Sequence, residues 1–316
     1  MSSGARQLLH YAIETVDGTT PSPFARKVLP FVSTSLDQTA SRENSNTIID
    51  SRIAAQGTIT SVEVAGDIET EFRYGTYDDL LAGVACNNWT GDSLTFGGTT
   101  YKSFSFLRGY DDVNVFQTFA GTRVNSWSIS IPETGMVTST FGLMGKSRTP
   151  SATSPSGTIT PPLLNPVFGS VSVGNILIDG ESQVGTACIS AIEFTWDNST
   201  QIQRCLGNGL DIGALIPTSA TGTGSFTMAW STKAGQDYYE RQFTNKTIGL
   251  EITIMEDPKA EGGNTNQYTL EIPQVEITAS LPSGGKDEIL QATFEFNVVN
   301  VAPILTRQAY VTPPEP

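Results

Sequence analysis

Apolar and polar residues alternate cleanly along residues 62–74. Even positions are mostly apolar, and odd positions are mostly charged. Because side chains alternate across a β-strand, this period predicts a strand with one buried face and one acidic face in water. The acidic positions are Glu63, Asp67, Glu69 and Glu71. A solvated acidic face is favoured over a catalytic carboxylate pair, because no partner acid, base or metal motif accompanies these residues.

Further strands and two short helices are predicted along the chain. Residues 124–144 have the pattern of a long hairpin that turns at 132–135, and Gly97-Gly98 predicts another between 93–96 and 101–107. Short helices are predicted at 76–86 and 232–243. Strands of the second half are predicted at 188–196, 226–230, 248–254, 267–281 and 289–299. The sequence therefore predicts an all-β fold with short flanking helices.

Two polar stretches, residues 37–56 and 198–219, are predicted to be long loops. Loops of about twenty residues are longer than a compact domain needs and commonly carry function. We therefore expect them to reach neighbouring subunits. The candidate contact residues are Asp37, Arg42, Glu43, Asn44, Gln203 and Arg204.

The second half of the chain repeats the first in a diverged form. One constant spacing relates Gly66, Ile68, Thr70, Phe72 and Asp79 to Gly224, Phe226, Met228, Trp230 and Asp237. Similar spacings relate Ile131-Pro132 to Leu281-Pro282, residues 140–143 to 293–296, and 36–38 to 196–198. These matches keep the same order, which predicts an internal duplication.

The duplication predicts two tandem β domains. Residues 1–146 form the first, and residues 171–316 form the second, which ends in a disordered-type tail. Residues 147–170 are rich in Pro, Ser and Thr and are predicted to be a linker.

Composition excludes several classes of function. The net charge of −14 repels phosphate, so specific nucleic-acid binding is not expected. The single histidine, His10, leaves no Ser-His-Asp, Cys-His or multi-His site. Three cysteines without a CxxC pair predict neither a disulfide framework nor a zinc site. We expect no catalytic residue, no metal and no cofactor. We also expect no secretory signal and no membrane span.

Five motifs in the first half resemble the tail tube proteins of long-tailed, siphovirus-like bacteriophages. They are Gly66-Asp-Ile-Glu69, Tyr74-Gly-Thr-Tyr-Asp-Asp-Leu-Leu81, Arg108-Gly-Tyr110, Gly121-Thr-Arg-Val-Asn-Ser126 and Thr140-Phe-Gly-Leu-Met-Gly145. The entry segment, residues 12–21, is also similar to the usual N-terminus of that family. Residues 10–148 carry the resemblance, whereas the second half matches by architecture and by its repeat of the first.

The resemblance implies tail-tube-type β-sandwich domains whose long hairpins join those of neighbours into a barrel around a channel. Stacked rings would form the tube through which DNA passes without specific binding. It implies partners in the tape-measure, tail-terminator and tip proteins, and a place in the virion after assembly in the host cytoplasm. A duplicated chain implies a homotrimeric, pseudo-hexameric ring, with a homohexamer as the alternative.

With this resemblance, the two groups of candidate residues acquire roles. Glu63, Asp67, Glu69 and Glu71 are expected to face the channel, and the two loops are expected to join stacked rings. Their counterparts Ser225, Thr227 and Ala229 are uncharged, so acidic charge is expected to alternate around the ring. The competing interpretations are a carbohydrate-binding β-sandwich on the virion surface and a polysaccharide-cleaving enzyme.

Overall fold

A computed structural model describes residues 3–48, 52–53, 55–184, 187–244, 246–260, 264–282 and 284–311. The first half contains strands β1 (Gln7–Ile13), β2 (Arg26–Val28), β3 (Ser33–Thr34), β4 (Asp37–Glu43), β5 (Thr58–Glu71), β6 (Ser93–Thr95), β7 (Phe104–Tyr110), β8 (Val115–Ile131), β9 (Thr138–Gly145), β10 (Ser147–Ser151) and β11 (Ile159–Thr160). The second half contains β12 (Val173–Ile178), β13 (Glu181–Ser182), β14 (Ile189–Asp197), β15 (Gln201–Gln203), β16 (Ala214–Ile216), β17 (Thr221–Ala229), β18 (Ile248–Met255), β19 (Gln267–Ala279), β20 (Gln291–Val298) and β21 (Ile304–Gln308).

Helical structure is limited to short segments. The α-helix α1 spans Asp78–Val84, and single 3₁₀ turns span Gly4–Arg6 and Ser170–Ser172. In the second half a π-helical segment, Lys233–Tyr238, continues into the 3₁₀ turn Tyr239–Phe243. The prediction of an all-β fold with short flanking helices is therefore confirmed.

One antiparallel sheet runs through both halves and is called the central sheet. Its strand order is β4-β5-β9-β8-β14-β17-β20-β19. The two halves meet where residues 126–131 of β8 pair with β14. The sheet does not close into a barrel within one chain, because β4 and the end of β19 are its two edges.

Strand β8 belongs to two sheets in succession. Its first part pairs with β7 and β10, and its second part pairs with β9 and β14. The change occurs near Gly121, whose φ of +61° is unfavourable for other residues. The buried Glu14 carboxylate accepts the Gly121 N–H at 2.9 Å and the Ser105 hydroxyl at 2.6 Å. These bonds hold the strand where it leaves one sheet for the other.

Strand β19 has the same arrangement in the second half. It pairs first with β18 and β21 and then with β20. Pairs in the first half correspond to pairs in the second, and each pair of corresponding strands has its own sequence spacing. Examples are Ile68–Phe141 with Phe226–Phe294, Leu107–Thr118 with Ile252–Leu270, and Thr34–Ile68 with Ile192–Phe226. Thus β19 occupies the position of β8, and β14 occupies that of β3 and β4. In this register Leu36 corresponds to Phe194, so the sequence alignment of 36–38 with 196–198 was displaced by two residues.

Apolar side chains from both halves pack into one core under the central sheet. Trp127 lies near its centre and is 1% exposed, with ring centroids 5.7 Å from Phe96 and 6.0 Å from Phe194. The indole N–H of Trp127 donates to the Ser139 hydroxyl at 2.7 Å, so its polar atom is satisfied. Since Phe194 belongs to the second half, the core couples the halves.

A polar cluster, called the clasp, joins helix α1 to two strands of the second half. The Asp78 carboxylate accepts hydrogen bonds from the Tyr268 hydroxyl and the Arg307 guanidinium. Arg307 also lies 4.5 Å from the centroid of the Trp89 ring and 3.3 Å from Asp92. Burial, followed by the negative charge of Asp78, raises the pKa of Tyr268 well above its usual value.

Two local expectations from sequence were wrong. Residues 37–43 form strand β4, which pairs with β5, and the second long loop contains a hairpin of β15 and β16. No hairpin forms at Gly97-Gly98, because β6 pairs with β21, whereas β7 pairs with β1 and β8. Strand β6 pairs with a strand distant in sequence, whereas β4 and the β15–β16 hairpin form strands from residues whose polar pattern is that of a loop.

The 147–170 segment lies along the first half. Its strand β10 pairs with β8, and β11 pairs in parallel with β2. The buried Arg26 guanidinium donates to the Pro155 carbonyl at 2.9 Å and to the Ser154 hydroxyl at 3.0 Å. The domain boundaries at 146 and 170 stay a prediction, and the tail at 312–316 lies outside the described residues.

Candidate functional site: the exposed face of the central sheet

The alternation in β5 places its acidic residues on the side of the central sheet that faces away from the core. Glu63, Asp67 and Glu69 are exposed and Glu71 is half-buried, whereas Val64 and Ile68 between them are buried. The predicted strand and its two faces are confirmed. The proposed channel-facing role of these residues stays a prediction.

The acidic residues of β5 make different contacts at the two ends of the strand. Arg204 lies 3.1 Å from the Glu63 carboxylate, and Arg73 lies 3.5 Å from that of Glu71. Between them, Glu69 accepts only a hydrogen bond from the Ser33 hydroxyl, at 2.9 Å. The neighbouring basic side chains therefore stand at the two ends of the strand, and the middle of its exposed face keeps uncompensated negative charge.

The exposed face continues across the sheet in rows of opposed residues. One row runs Glu69, Thr140, Ser128, Thr195, Thr223, Asn297, Glu276 from β5 to β19. The next row runs Glu71, Thr138, Ser130, Glu193, Ser225, Glu295, Thr278 over the same strands. Short hydroxyl side chains separate the carboxylates, so the face is polar, shallow and acidic in both halves.

Basic residues are absent from the strands that form most of this face. Strands β5, β9, β14, β17 and β20 contain no Lys or Arg. Repulsion between carboxylates on neighbouring positions is weak in water, at about 0.2–1 kcal/mol per close pair. The sheet therefore tolerates the charge, and the summed field of the face repels anions.

The acidic residues of the second half on this face were not predicted from the sequence. Ser225, Thr227 and Ala229 lie on β17 and are uncharged, but β14, β19 and β20 bring Glu193, Glu276 and Glu295 to the same face. The alternation of Ile192, Phe194 and Trp196 with polar residues in β14 was the available signal. Only the strand order reveals that these residues share a face with β5.

Most of the candidate residues for contacts between subunits gather at one end of the central sheet, called the loop end. Asp37, Arg42 and Glu43 lie in β4, which together with β5 extends beyond β9, and Asn44 follows. The hairpin that contains Gln203 leads back to the same place, because Arg204 donates to the Val62 carbonyl at 2.7 Å. Thus Arg42, Glu43, Asn44, Gln203 and Arg204 lie towards the loop end, whereas Asp37 lies further along β4, opposite Ala65. The role of all six residues stays a prediction.

Apolar side chains are exposed at both ends of the central sheet. At the loop end Ile48 is 96% exposed, and the side chain of Leu206 on the β15–β16 hairpin is fully exposed. At the opposite end, called the turn end, Met136, Leu281 and Ile289 are exposed next to the β8–β9 and β19–β20 connections. Exposed apolar residues in such positions are typical of protein–protein contacts.

One polar cleft has paired charges. A cleft of about 390 Å³ lies above α1 and contains Lys27, Asp78, Asp79 and Arg307. Lys27 is 2.6 Å from the Asp79 carboxylate, and Arg307 pairs with Asp78. Within those regions no group of three His, Cys, Asp or Glu residues is arranged to hold a metal ion.

His10 is buried and hydrogen-bonded within the fold. Its Nδ1 accepts a hydrogen bond from the Arg26 guanidinium at 3.1 Å. Burial, followed by the positive charge of Arg26, lowers the pKa of His10 from 6.5 to about 4. The imidazole is therefore neutral at pH 7. None of the helices in the described part of the chain is long and apolar enough to cross a bilayer.

Comparison with known proteins identifies the family. The family model described as phage tail tube protein matches residues 4–298, which is nearly the whole chain. No individual curated protein matches the chain. The match agrees with the resemblance carried by the first-half motifs and extends it over the second half. The chain therefore belongs to the phage tail tube protein family, and it is a structural component of the virion tail that self-assembles into a tube.

Proposed function

We propose that this protein forms stacked rings that make a hollow tail tube, and that the exposed face of the central sheet lines its channel. The observation that carries the proposal is the composition of that face, in which carboxylates and short hydroxyl side chains occur in rows across β5 to β19. An anionic lining repels the phosphates of DNA, so the duplex slides through the channel without binding.

Three copies supply six similar sheet units to each ring. This arrangement is supported by the matching strand order and register of β4-β5-β9-β8 and β14-β17-β20-β19, which also support an internal duplication. We therefore favour a homotrimeric, pseudo-hexameric ring over a homohexamer. The acidic residues lie mostly on β5 in one unit and on three strands in the other, which makes the sixfold symmetry approximate.

Rings stack through the two ends of the sheet. The loop end, with Ile48 and Leu206, meets the turn end of the next ring, with Met136 and Ile289, because both ends expose apolar side chains. Tubes of normal length from a chain with a short turn in place of Gln201–Ile216 would contradict this assignment. We further propose that the tube of a siphovirus-like phage is assembled in the host cytoplasm around a tape-measure protein, between terminator and tip proteins.

Charge reversal tests the channel lining. The double variant Glu69→Lys, Glu295→Lys places a cation on the face in each half, while exposed strand positions of this kind change stability by about 0.5 kcal/mol or less. We expect normal tubes by negative-stain electron microscopy but slower DNA ejection, measured on phage particles, because the lysines bind phosphate.

The matched control for the charge reversal changes two exposed acidic residues that lie away from the central sheet. The variant Asp237→Lys, Glu240→Lys alters the net charge by the same amount and should eject DNA normally. Equal ejection rates from both double variants would show that the face does not line the channel. Failure of the unmodified protein to form rings would refute the tube itself.

A further inference from the structure

A short proline-containing motif occurs twice in the chain. Ile159-Thr-Pro-Pro-Leu163, called the first Pro motif, lies in the 147–170 segment, and Val311-Thr-Pro-Pro-Glu315, called the second Pro motif, follows β21. The two motifs have corresponding places in the repeat, because β10 pairs with the first part of β8 and β21 pairs with the first part of β19. The structure describes the whole first motif, whereas residues 312–315 of the second lie outside the described residues.

The first Pro motif packs over helix α1. Pro161 and Pro162 line the cleft above this helix. The Leu163 carbonyl accepts a hydrogen bond from the Thr76 hydroxyl at 2.8 Å, and the Leu163 side chain packs against Gly75, where a Cβ atom would lie 3.4 Å from Leu163 Cδ1. Consecutive prolines favour an extended polyproline II conformation, which loses little entropy when it is bound in a groove. The first half therefore shows how such a motif is held against a helix.

The second half has a corresponding cleft beside the helical segment Lys233–Phe243. Its volume is about 550 Å³, and Gln236, Arg241 and Thr247 are among the residues that line it. Gln236 corresponds to Asp78 of the first cleft, at the constant spacing of the repeat. Gln236 is exposed and Arg241 is half-buried, so the cleft is accessible to a partner.

A difference between the two motifs is matched by a difference between the two clefts. Leu163 of the first motif corresponds to Glu315 of the second, and Gly75 corresponds to Lys233. An apolar side chain over a glycine in the first half is therefore matched by an acidic and a basic residue in the second. Lys233 also lies 2.5 Å from Glu181, but an ammonium group has three N–H donors and can bind two carboxylates. The second motif thus suits the second cleft by charge as well as by its prolines.

The second Pro motif begins at the C-terminal end of β18. Both backbone groups of Val311 are bonded to the Asn264 side chain, which accepts its N–H at 2.8 Å and donates to its carbonyl at 2.6 Å. The preceding Tyr310 N–H donates to the Asn266 side chain, and the Asn266 carbonyl accepts the N–H of Glu256, directly after β18. These contacts fix the start of the motif.

The cleft lies at the N-terminal end of β18, out of reach of the same chain's motif. Arg241 of the cleft pairs at 2.6 Å with Asp179, whose N–H donates to the Gly249 carbonyl. At about 3.3 Å per residue, the strand extends for about 20 Å between its two ends. Glu315 is four residues beyond Val311 and therefore reaches at most about 14 Å. A motif that enters this cleft belongs to a second copy.

We propose that the cleft beside the helical segment Lys233–Phe243 binds the second Pro motif of another copy of this chain, with Pro313 and Pro314 in the cleft and Glu315 paired with Lys233. Next to the lining residue Thr244, Phe243 is 68% exposed, and proline rings commonly pack on aromatic surfaces. The inference goes beyond the proposed function, because the contact uses neither the exposed face nor the two ends of the central sheet.

Mixing two cysteine variants tests whether the contact joins separate copies. Both variants carry Cys188→Ser and Cys205→Ser, which remove the exposed thiols, and both keep the buried Cys86. One variant adds Lys233→Cys, and the other adds Glu315→Cys and a size tag. After mild oxidation of the mixture, a non-reducing gel should show dimers that contain one chain of each kind.

Two further variants make the cross-linking decisive. Glu276→Cys in place of Lys233→Cys puts the thiol on the exposed face of the central sheet, away from the cleft, and should give no mixed dimer. Gln236→Cys provides a second position in the cleft if Lys233→Cys does not fold. Absence of mixed dimers from both cleft positions would overturn the proposal. An internal cross-link in a single chain with Lys233→Cys and Glu315→Cys would overturn it as well.

A peptide tests the recognition itself. The probe is a fluorescein-labelled peptide of residues 308–316, and the receptor is the full chain with Pro313→Ala and Pro314→Ala, so that its own motif does not compete. Fluorescence anisotropy should show saturable binding. The Glu315→Lys peptide should bind about two- to fivefold more weakly, as expected for the loss of an exposed ion pair.

The outcomes separate this inference from the proposed function. A peptide that does not bind would overturn the inference, and equal affinities of the two peptides would overturn the pairing of Glu315 with Lys233. If the unmodified protein forms no rings, the proposed function fails, whereas mixed dimers and peptide binding still decide whether the cleft binds the motif.

Discussion

The two halves of this tail tube protein share a four-stranded unit but differ on the core side of the central sheet, opposite its exposed acidic face. In the first half, α1 is covered by the second half through the clasp of Asp78, Tyr268 and Arg307. In the second half, no described residue outside that half covers the corresponding helical segment Lys233–Phe243 in this way, and Phe243 is 68% exposed. The same four-stranded unit therefore has its helical segment covered by the other half in one case and exposed in the other.

The difference arises from a segment that only the first half has. Residues 85–103 separate α1 from β7 and contain β6, which pairs with β21 of the second half. In the second half only a few residues connect the helical segment to β18. Both halves therefore have the strand framework and the acidic face in common. The clasp occurs once, where α1 of the first half meets β19 and β21 of the second.

The two halves also differ in which strands carry the acidic residues of the exposed face. The first half concentrates its carboxylates on one strand, β5, and the second distributes them over β14, β19 and β20. Both distributions leave the face acidic. Under the proposed function, the lining would therefore need an acidic face but no particular strand to carry the charge.

The largest predicted effect concerns the core that couples the halves. Trp127→Ala should lower the free energy of unfolding by about 3–5 kcal/mol, because it empties a well-packed site between Phe96 and Phe194. Denaturant unfolding should show one cooperative transition that moves as a whole. Two transitions, with only one displaced, would show that the halves unfold independently. Trp230→Ala, at a half-buried position, should have a smaller effect.

An intermediate effect is expected from breaking the clasp. Asp78→Asn removes the charge that pairs with Arg307 and should lower the free energy of unfolding by about 2 kcal/mol, as for hydrogen bonds to charged groups. The control Asp237→Asn changes an exposed residue of the corresponding helical segment and should shift stability by less than about 0.5 kcal/mol. Equal thermal shifts for the two variants would contradict the asymmetry between the outer sides.

The smallest predicted effect is a pH dependence confined to the first half. At pH 7 His10 is neutral in both the folded and the unfolded chain. As the pH falls from 6.5 to about 4, the unfolded chain binds a proton that the buried imidazole does not, so stability decreases. Between pH 6.5 and about 5 we expect this group to contribute about 1–2 kcal/mol to the decrease, given that one pKa unit is worth about 1.4 kcal/mol.

The second half provides the comparison for this pH effect. The position in β12 that corresponds to His10 is Ile176, since the pairs His10–Leu107 and Ile176–Ile252 are equivalent. His10→Gln keeps an acceptor for Arg26 without a titrating group, so its stability should fall less between pH 7 and pH 4.5. Identical slopes for the variant and the unmodified protein, measured by denaturant unfolding, would refute the assignment.

Strands with regular alternation were predicted correctly from the sequence. The exposed and buried faces of β5 and the hairpin of β8 and β9 follow from a local period of two residues. Strand β4 was missed because it lies at an edge and is polar on both sides, so its pattern is that of a loop. Its strand conformation depends on hydrogen bonds to β5, which a local pattern does not encode.

Turn chemistry was a less reliable guide than alternation. Gly97-Gly98 has the composition of a hairpin turn, but the partner of β6 is β21, which is more than two hundred residues away. The acidic residues of the second half were missed for a related reason. Glu193, Glu276 and Glu295 are far apart in sequence, and they become one surface only when β14, β19 and β20 are placed in order.

The sequence by itself determined which side of each regular strand is buried. Apolar and polar residues alternate locally along such a strand, and the hydrophobic effect favours burial of the apolar side. The tertiary structure alone decided which strands are neighbours, and in particular that β8 meets β14 while β4 and β19 stay open. These strand pairs join residues that are distant in the chain, so they depend on how the apolar side chains of both halves pack together in the core.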